Sequence, residues 1–249
     1  MTHPKPYPRC VFCGERANSR EHAIPGWIGR RLGIKYFFAL ETEIVIGLKP
    51  RRQPISFKSH RARIFCKPCN SHFKHLEDDA IPLLEPMAKG RTLVLDAVSQ
   101  ALLALWASKT GIALIAATAP ELREIAPIGH RKAIRNDARP SDETFVGYFP
   151  WQGDPVLAVG AGNATDNEDG ALGPETYSAI FAFGEVGMFL MGFKSPIFSN
   201  AAIDGDQPPM THFWPPQGRL ITWPPEGPPL RAGSDVRNLI GFMPLRKMS

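Results

Sequence analysis

Apolar residues recur at spacings of three and four along the middle of the chain, which is the pattern of helices that bury one face. Phe73, Leu76 and Ala80 follow this spacing and predict a helix over residues 67–79. A longer apolar stripe predicts a second helix over residues 92–117. The members of that stripe are Leu95, Val98, Leu102, Leu105 and Trp106. We therefore expect the middle of the chain to be mainly helical.

Prolines and a change of pattern mark where these helices stop. Pro82 and Pro86 predict a break between them, because proline lacks the amide proton that a helix interior needs. A short basic helix is expected over residues 129–136, with its charged face in solvent. Beyond residue 141, β-branched, aromatic and small residues alternate with Gly and Pro. They predict strands over residues 144–149, 156–159 and 177–193.

These elements give an α+β fold in three regions. Residues 1–80 read as short strands and loops that end in a helix, and residues 81–140 as a helical connecting segment. Residues 141–249 read as a β-rich region whose role the sequence does not assign. Two Trp-Pro-Pro triplets in this last region, at residues 214–216 and 223–225, predict connections whose Trp side chains fill the core.

Composition narrows the class of protein. The chain has 249 residues, of which 43% are hydrophobic and 21% are charged. These values are ordinary for a globular protein, and they exclude a disordered chain, a fibrous repeat and a disulfide-rich miniprotein. Polar residues interrupt the apolar stretch 93–118, so we expect a buried helix and no membrane partner. No apolar leader follows Met1, and a cytoplasmic location is expected.

Positive charge is concentrated in the first third of the chain. Residues 1–75 carry 15 Lys and Arg against 4 Asp and Glu, a net charge of +11. Residues 76–249 carry 14 Lys and Arg against 20 Asp and Glu, a net charge of −6. This asymmetry suggests a polyanion partner for the N-terminal region, and a solvated basic face is the simpler alternative.

All four cysteines fall in two Cys-x-x-Cys pairs, Cys10 with Cys13 and Cys66 with Cys69. In a reducing compartment such pairs indicate metal binding before disulfides. The two-residue gap lets both sulfur atoms of a pair reach one side of a tight turn, and four thiolates suit a tetrahedral zinc ion. Four thiolates leave no open coordination position, so we expect the zinc to be structural. An iron–sulfur cluster would use the same four ligands.

The segment between the two cysteine pairs contains the run Glu21-His22-Ala23-Ile24-Pro25, and Asn70 directly follows the second pair. The order Cys-x-x-Cys-Gly, Glu-His-x-x-Pro, Cys-x-x-Cys-Asn resembles the HNH endonucleases of the ββα-metal nuclease superfamily. It is most similar to their subset with four zinc-binding cysteines. The resemblance covers about residues 8–80. It implies that residues 1–80 form a zinc-stapled ββα-metal nuclease module.

The resemblance also implies a reaction, the hydrolysis of DNA phosphodiester bonds to 5′-phosphate and 3′-hydroxyl ends. Glu21 and His22 are adjacent, so on a strand their side chains point to opposite faces. The carboxylate of Glu21 and the amide oxygen of Asn70 suit a catalytic Mg²⁺ or Mn²⁺. Neutral His22 can act as a general base that takes a proton from the attacking water. The expected catalytic residues are therefore His22, Glu21 and Asn70.

Each of these side chains also has a simpler interpretation. His22 alone would be read as a hydrogen-bonded loop histidine. Glu21 can pair with Arg20 or another surface arginine, and Asn70 can cap the N-terminus of the predicted helix. The family pattern also has an Asn ahead of the second cysteine pair that orients the catalytic His. Residues 59–63 contain none, so another group would have to take that role.

Basic residues crowd the segment before the second cysteine pair and give an expected phosphate track. Together with one lysine on the predicted helix, its members are Lys74, Arg51, Arg52, Lys58, Arg61 and Arg63. DNA is the expected partner, with RNA as the alternative polyanion. A homodimer would let two single-strand cutters break a duplex, and the sequence leaves the oligomeric state open.

Two other functions stay open at this point. The first is a zinc-stabilised nucleic-acid-binding protein with a decayed catalytic site, which the absent Asn in residues 59–63 favours. The second is an interaction module in which zinc only holds the fold.

Overall fold

The computed structural model describes residues 8–40, 52–56, 61–162, 176–194, 202–203, 210–216, 218–231 and 245–246. These residues form a mixed α+β structure, which confirms the predicted fold class at this level. The helices are α1 Gly26–Leu32, α2 Lys67–Ala88, α3 Ala97–Thr118 and α4 Ile128–Asn136, with a 3-10 turn at Pro120–Leu122. The strands are β1 Glu21–His22, β2 Tyr36–Leu40, β3 Arg52–Ser56, β4 Arg61–Ala62, β5 Leu93–Leu95, β6 Thr144–Gln152, β7 Val156–Gly162, β8 Thr176–Phe183, β9 Val186–Phe193, β10 Ala202–Ile203, β11 Thr211–Trp214, β12 Ile221–Trp223, β13 Leu230–Arg231 and β14 Leu245–Arg246.

A mixed sheet forms the main layer, in the order β11-β6-β9-β8-β7-β2-β3, with β13 beside the end of β6. Its central strands β6, β9, β8 and β7 pair antiparallel. Strand β2 joins β7 in parallel, with Phe38 opposite Val156, and β3 extends the sheet beyond β2. A strand from between the two cysteine pairs is therefore hydrogen-bonded to the C-terminal strands.

The β8–β9 turn packs on the end of α2. The Glu185 N–H donates to the carbonyl of Ala88 at 2.9 Å. At the same turn Gly184 has a φ of +59°, and a Cβ there would collide with that carbonyl oxygen. Glycine is required at this position for both reasons, and the turn fixes the sheet to the helix.

Helix α3 lies at the centre of the fold. Every residue from 103 to 116 is buried, because the sheet covers one side and α2 covers another. At Gly111 the helix approaches β8 and β9 so closely that a Cβ would meet the side chains of Leu190 and Ala179. Among the described residues, α3 is the one helix long and apolar enough to cross a membrane. Here it is packed inside the protein, as predicted for a buried helix.

Helix α2 is longer than predicted. It begins at Lys67 as expected, but it continues past residue 79 to Ala88, with Pro82 and Pro86 inside it. The prediction of a break at these prolines is therefore wrong. A proline in a helix interior costs about 3 kcal/mol. The fully buried side chains of Leu84 and Met87 contribute about 1.5–3 kcal/mol each, and this tertiary burial overrides the local signal.

Helix α3 begins later than predicted. It starts at Ala97 and not near residue 92, because residues 93–95 form strand β5 and pair with β12. The Asp96 carboxylate then caps the helix, since it accepts a hydrogen bond from the Ser99 N–H at 2.8 Å. The partner strand is remote in sequence, so helical periodicity alone could not reveal this pairing. The short basic helix is confirmed as α4, Ile128–Asn136.

The predicted strands are confirmed, and the last run is a hairpin of β8 and β9. Both Trp-Pro-Pro triplets place their Trp in the core as expected. The Trp214 indole donates to the Ser141 carbonyl at 2.9 Å, and the Trp223 indole points at the Met87 carbonyl at 3.4 Å. The hydrophobic core continues across residues 80 and 140. For example, Trp27 packs edge-on against Phe183, with the ring centroids 6.2 Å apart.

Candidate metal centre and catalytic cluster

Two short backbone loops hold the four cysteines. In the first, the Gly14 N–H donates to the Cys10 carbonyl at 2.9 Å, and Gly14 has a φ of +78° that favours glycine. In the second, Cys66 precedes the first turn of α2, and its Sγ accepts from the Cys69 N–H at 3.5 Å. Each pair therefore lies on a tight turn, as the two-residue spacing predicts.

The four sulfur atoms converge on one point. All of them lie within 4.8 Å of one another, and the sulfur atoms of Cys13 and Cys66 are 3.5 Å apart. Zn–S bonds of about 2.3 Å put the thiolates of a tetrahedral site about 3.8 Å apart, so this donor set fits one such ion. Three of the cysteines are buried and Cys13 is half-buried. The predicted cluster is confirmed, and it could hold a metal ion such as zinc.

The thiols of the cluster hold their protons unequally. A hydrogen bond from Cys69, helped by the N–H groups of Cys66, Cys13 and Phe12, lowers the pKa of Cys10 to about 4. The same hydrogen bond and burial raise the pKa of Cys69. Like charges prevent four neighbouring thiols from all ionising, whereas a bound dication allows four thiolates.

Three arginines from residues 123–135 contact the cysteine loops. The Arg135 Nε donates to the Cys69 Sγ at 3.2 Å, and the Arg131 Nη1 donates to the Val11 carbonyl at 2.9 Å. This corrects the expectation that the basic face of α4 lies in solvent, because a buried group of sulfur atoms attracts positive charge. The remaining contacts run from Arg123 to the carbonyls of Arg9 (3.0 and 2.6 Å) and Arg63 (2.6 Å).

Glu21 and Asn70 are in direct contact beside this cluster. The Asn70 Nδ2 donates to the Glu21 Oε1 at 2.9 Å, although the residues are 49 positions apart. The Ser19 hydroxyl donates to the same oxygen at 2.8 Å, a partner that the sequence motif did not indicate. Strand β1 holds Glu21 opposite Ala62 of β4. The other oxygen of Glu21 and the amide oxygen of Asn70 are the atoms that a hard cation would take.

Asn70 does not cap the helix. Cys66 is the N-cap residue of α2, and the Asn18 Oδ1 accepts from the Lys67 N–H at 2.9 Å. Asn70 lies one turn into the helix, where its own N–H donates to the Cys66 carbonyl at 3.0 Å. Its side chain is therefore engaged by Glu21, and the helix-capping interpretation is wrong.

His22 follows Glu21 in β1 and has different neighbours, as expected for adjacent strand residues. Its half-buried ring lies beside the first turn of α1, where the Cδ2 is 3.6 Å from the place that a Cβ on Gly26 would occupy. The Arg30 Nη1 is 3.0 Å from the same point. The imidazole of His22 and the guanidinium of Arg30 are thus neighbours at the N-terminus of α1.

The predicted phosphate track lies only partly within the described residues. Lys74 on α2 and Arg63 are exposed. The strands place Arg52 in β3 and Arg61 in β4, where Arg61 pairs with His22. Arg51 and Lys58 lie outside the described residues, as do residues 59 and 60.

Within the part of the chain that the structure describes, the four cysteines are the one group of three or more His, Cys, Asp or Glu side chains able to share an ion. Glu21 and Asn70 form a smaller pair, so a cation there would take its other ligands from water or phosphate, as Mg²⁺ commonly does. Comparison of the chain with protein-family models, curated proteins and solved structures found no match.

Proposed function

We propose that this protein is a metal-dependent endonuclease of the HNH type that hydrolyses DNA phosphodiester bonds. The contact between Glu21 and Asn70, with His22 next in the same strand, carries the proposal. The antiparallel pairing of β1 with β4, which directly precedes α2, supports it because a ββα-metal module has two antiparallel strands and a helix; here α1, β2 and β3 lie between the two strands in sequence. The four-cysteine cluster lies at the first turn of that same helix.

Each proposed catalytic side chain has a separate task. Glu21 and Asn70 would hold Mg²⁺ or Mn²⁺, and Ser19 and Asn70 fix the Glu21 carboxylate by donating to its Oε1. A cation held by these residues would supply positive charge that stabilises the phosphate and the leaving 3′ oxygen. His22 would take a proton from the attacking water, whose oxygen bonds to phosphorus as the bond to the 3′ oxygen breaks, and the leaving 3′ oxygen would take a proton from a second water molecule. The products carry a 5′-phosphate and a 3′-hydroxyl.

The metal of the four-cysteine cluster has a structural task in this proposal. Bound by all four cysteines, it would join the Cys10 loop to the first turn of α2, where the Asn70 N–H donates to the Cys66 carbonyl. The four cysteines and their metal would thereby hold the helix that carries Asn70 against the strand that carries Glu21. Exposed basic side chains such as Lys74 and Arg63 would contact DNA phosphates without reading sequence.

A plasmid-cleavage assay with a matched histidine control tests the proposal. Wild type, His22→Ala and His75→Ala are incubated with supercoiled plasmid and Mg²⁺ or Mn²⁺. His75 is exposed on α2, so its variant controls for the loss of a histidine. Loss of a general base costs about 10²–10⁴-fold in rate, so we expect that loss for His22→Ala and wild-type cleavage for His75→Ala.

Two outcomes contradict the nuclease proposal. If wild type leaves plasmid intact with both metals but retards it on a gel, the protein is the nucleic-acid-binding alternative. The net charge of +11 on residues 1–75 favours that second candidate. If wild type neither cuts nor binds, the four-cysteine cluster holds an interaction module. Equal cleavage by wild type and His22→Ala would remove His22 from the mechanism.

A further inference from the structure

Arg135 of helix α4 contacts a sulfur atom of the four-cysteine cluster. The Arg135 Nε donates to the Cys69 Sγ at 3.2 Å across 66 positions of sequence. A second nitrogen of the same guanidinium, Nη1, donates to the Asn136 Oδ1 at 2.9 Å, which fixes the orientation of the group. Cys69 is fully buried, so this bond is shielded from solvent at the sulfur. A hydrogen bond between a charged donor and a thiolate is of the strong, charge-assisted kind.

The hydrogen bond from Arg135 can offset part of the negative charge of a metal-loaded site. Four thiolates carry twice the charge that a dication neutralises, so a loaded site keeps net negative charge. Three of the four cysteines are buried, and burying uncompensated charge is costly. The guanidinium of Arg135 supplies part of the missing positive charge directly at one ligand atom.

Arg123 contacts the same two cysteine loops in a different way. It donates to the main-chain carbonyls of Arg9 and Arg63, each close in sequence to a cysteine pair. These bonds hold backbone, and none of them is to sulfur. Arg123 therefore gives a matched control, because it has the same side chain on the same segment and a purely main-chain attachment.

We propose that Arg135 is the outer-sphere partner of the four-cysteine metal site, and that it couples the docking of α4 to the retention of the metal. Outer-sphere partners of metal ligands typically contribute 10- to 100-fold to metal affinity. Binding linkage is reciprocal, so a metal that Arg135 stabilises must stabilise the docking of α4 by the same factor. Arg135 is a positioning residue in this role, since it acts through Cys69.

The first test measures metal retention in full-length protein. Zinc affinity is determined by competition with a chelator for wild type, Arg135→Gln and Arg123→Gln, and Arg135→Lys is included as the charge-conserving variant. We expect Arg135→Gln to bind zinc about 10- to 100-fold more weakly, with partial recovery in Arg135→Lys. In cobalt-loaded protein, Arg135→Gln should shift the thiolate-to-cobalt charge-transfer band, and Arg123→Gln should not.

The second test needs no variant and so survives a failure of Arg135→Gln to fold. Amide hydrogen exchange across α4 is compared in wild-type protein with and without zinc, and we expect protection of residues 128–136 to fall when zinc is removed. An Arg135→Gln variant that binds zinc as tightly as wild type and has an unshifted cobalt band would overturn the proposal. Equal amide exchange rates in α4 with and without zinc would overturn the proposed coupling. A wild type that cuts no DNA would leave this inference intact, because none of these readouts depends on cleavage.

Discussion

A buried ion pair fixes α2, which carries Cys69 and Asn70, to the central helix α3. Lys109 on α3 is 1% exposed, and its Nζ bonds the Glu77 Oε1 at 2.5 Å. The ammonium also lies over the rings of Phe65 and Phe73, 5.5 and 6.0 Å from their centroids. Glu77 is less enclosed, with 27% of its side chain exposed. Removing Glu77 would leave a buried lysine without its carboxylate.

Glu77→Ala should therefore destabilise the fold by about 3 kcal/mol. Breaking a fully buried pair costs about 3–5 kcal/mol, and the partial exposure of Glu77 puts this case at the lower end. In a chain of this size about 3 kcal/mol corresponds to a Tm lower by about 6–12 °C. The double variant Glu77→Leu with Lys109→Met removes both charges. It should recover most of the loss, because buried pairs are often replaceable by apolar side chains.

The measurement is thermal and urea unfolding of metal-loaded wild type, Glu77→Ala, Glu77→Leu, Lys109→Met and the double variant. Wild type, Glu77→Leu, Lys109→Met and the double variant form a double-mutant cycle. Asp79→Ala is the matched control, since Asp79 is an exposed acid on the same helix. Metal content is checked in every sample, so that loss of zinc is not mistaken for loss of the ion pair. A Glu77→Ala variant as stable as Asp79→Ala would refute the reasoning, as would a double variant no more stable than Glu77→Ala.

Two further predictions concern the metal and pH. Cys66→Ser removes a thiolate ligand, whereas the serine hydroxyl can still cap α2. Elemental analysis should therefore find one zinc per wild-type chain and none in the variant. Folded wild type without zinc or iron would contradict the site. Burial lowers the pKa of His130 below its ordinary 6.5, so the unfolded chain binds the extra proton. The stability that neutral, buried His130 contributes is therefore fully present above about pH 6.5 and is lost as the pH falls toward the lowered pKa. His130→Gln should flatten this slope in urea titrations, and an unchanged slope would exclude His130 as its cause.

The sequence predicted correctly those helices and turns that are determined by residues close together in the chain. Helix α4 was predicted to within one residue, and the two cysteine pairs converge as their spacing indicates. The predictions are wrong where contacts with a segment distant in sequence determine the secondary structure. Residues 93–95 become a strand only because residues 221–223 lie beside them, and Pro82 stays helical because α2 is packed on α3. Neither the strand pairing nor the helix packing can be predicted from the residues on either side of these positions alone.

In the candidate site, too, some contacts were predictable from the sequence and others were not. The order of the motif was enough to expect Glu21 near Asn70, and the two side chains are in contact. It did not indicate that Ser19 would share the Glu21 oxygen, or that Arg135 would reach Cys69. Both are contacts of ordinary polar residues, and only the folded arrangement distinguishes them from the many similar residues on the surface.

The parallel pairing of β2 with β7 bears on any attempt to transplant the cysteine-containing segment into another protein. A fragment that ends at residue 80 would keep the ligands but leave the edge of β2 that faces β7 unpaired. It would also expose Trp27, which Phe183 covers in the whole chain. Open strand edges and bare aromatic rings promote aggregation. A usable graft would have to bring the neighbouring strands with it, so the smallest portable unit is close to the entire protein.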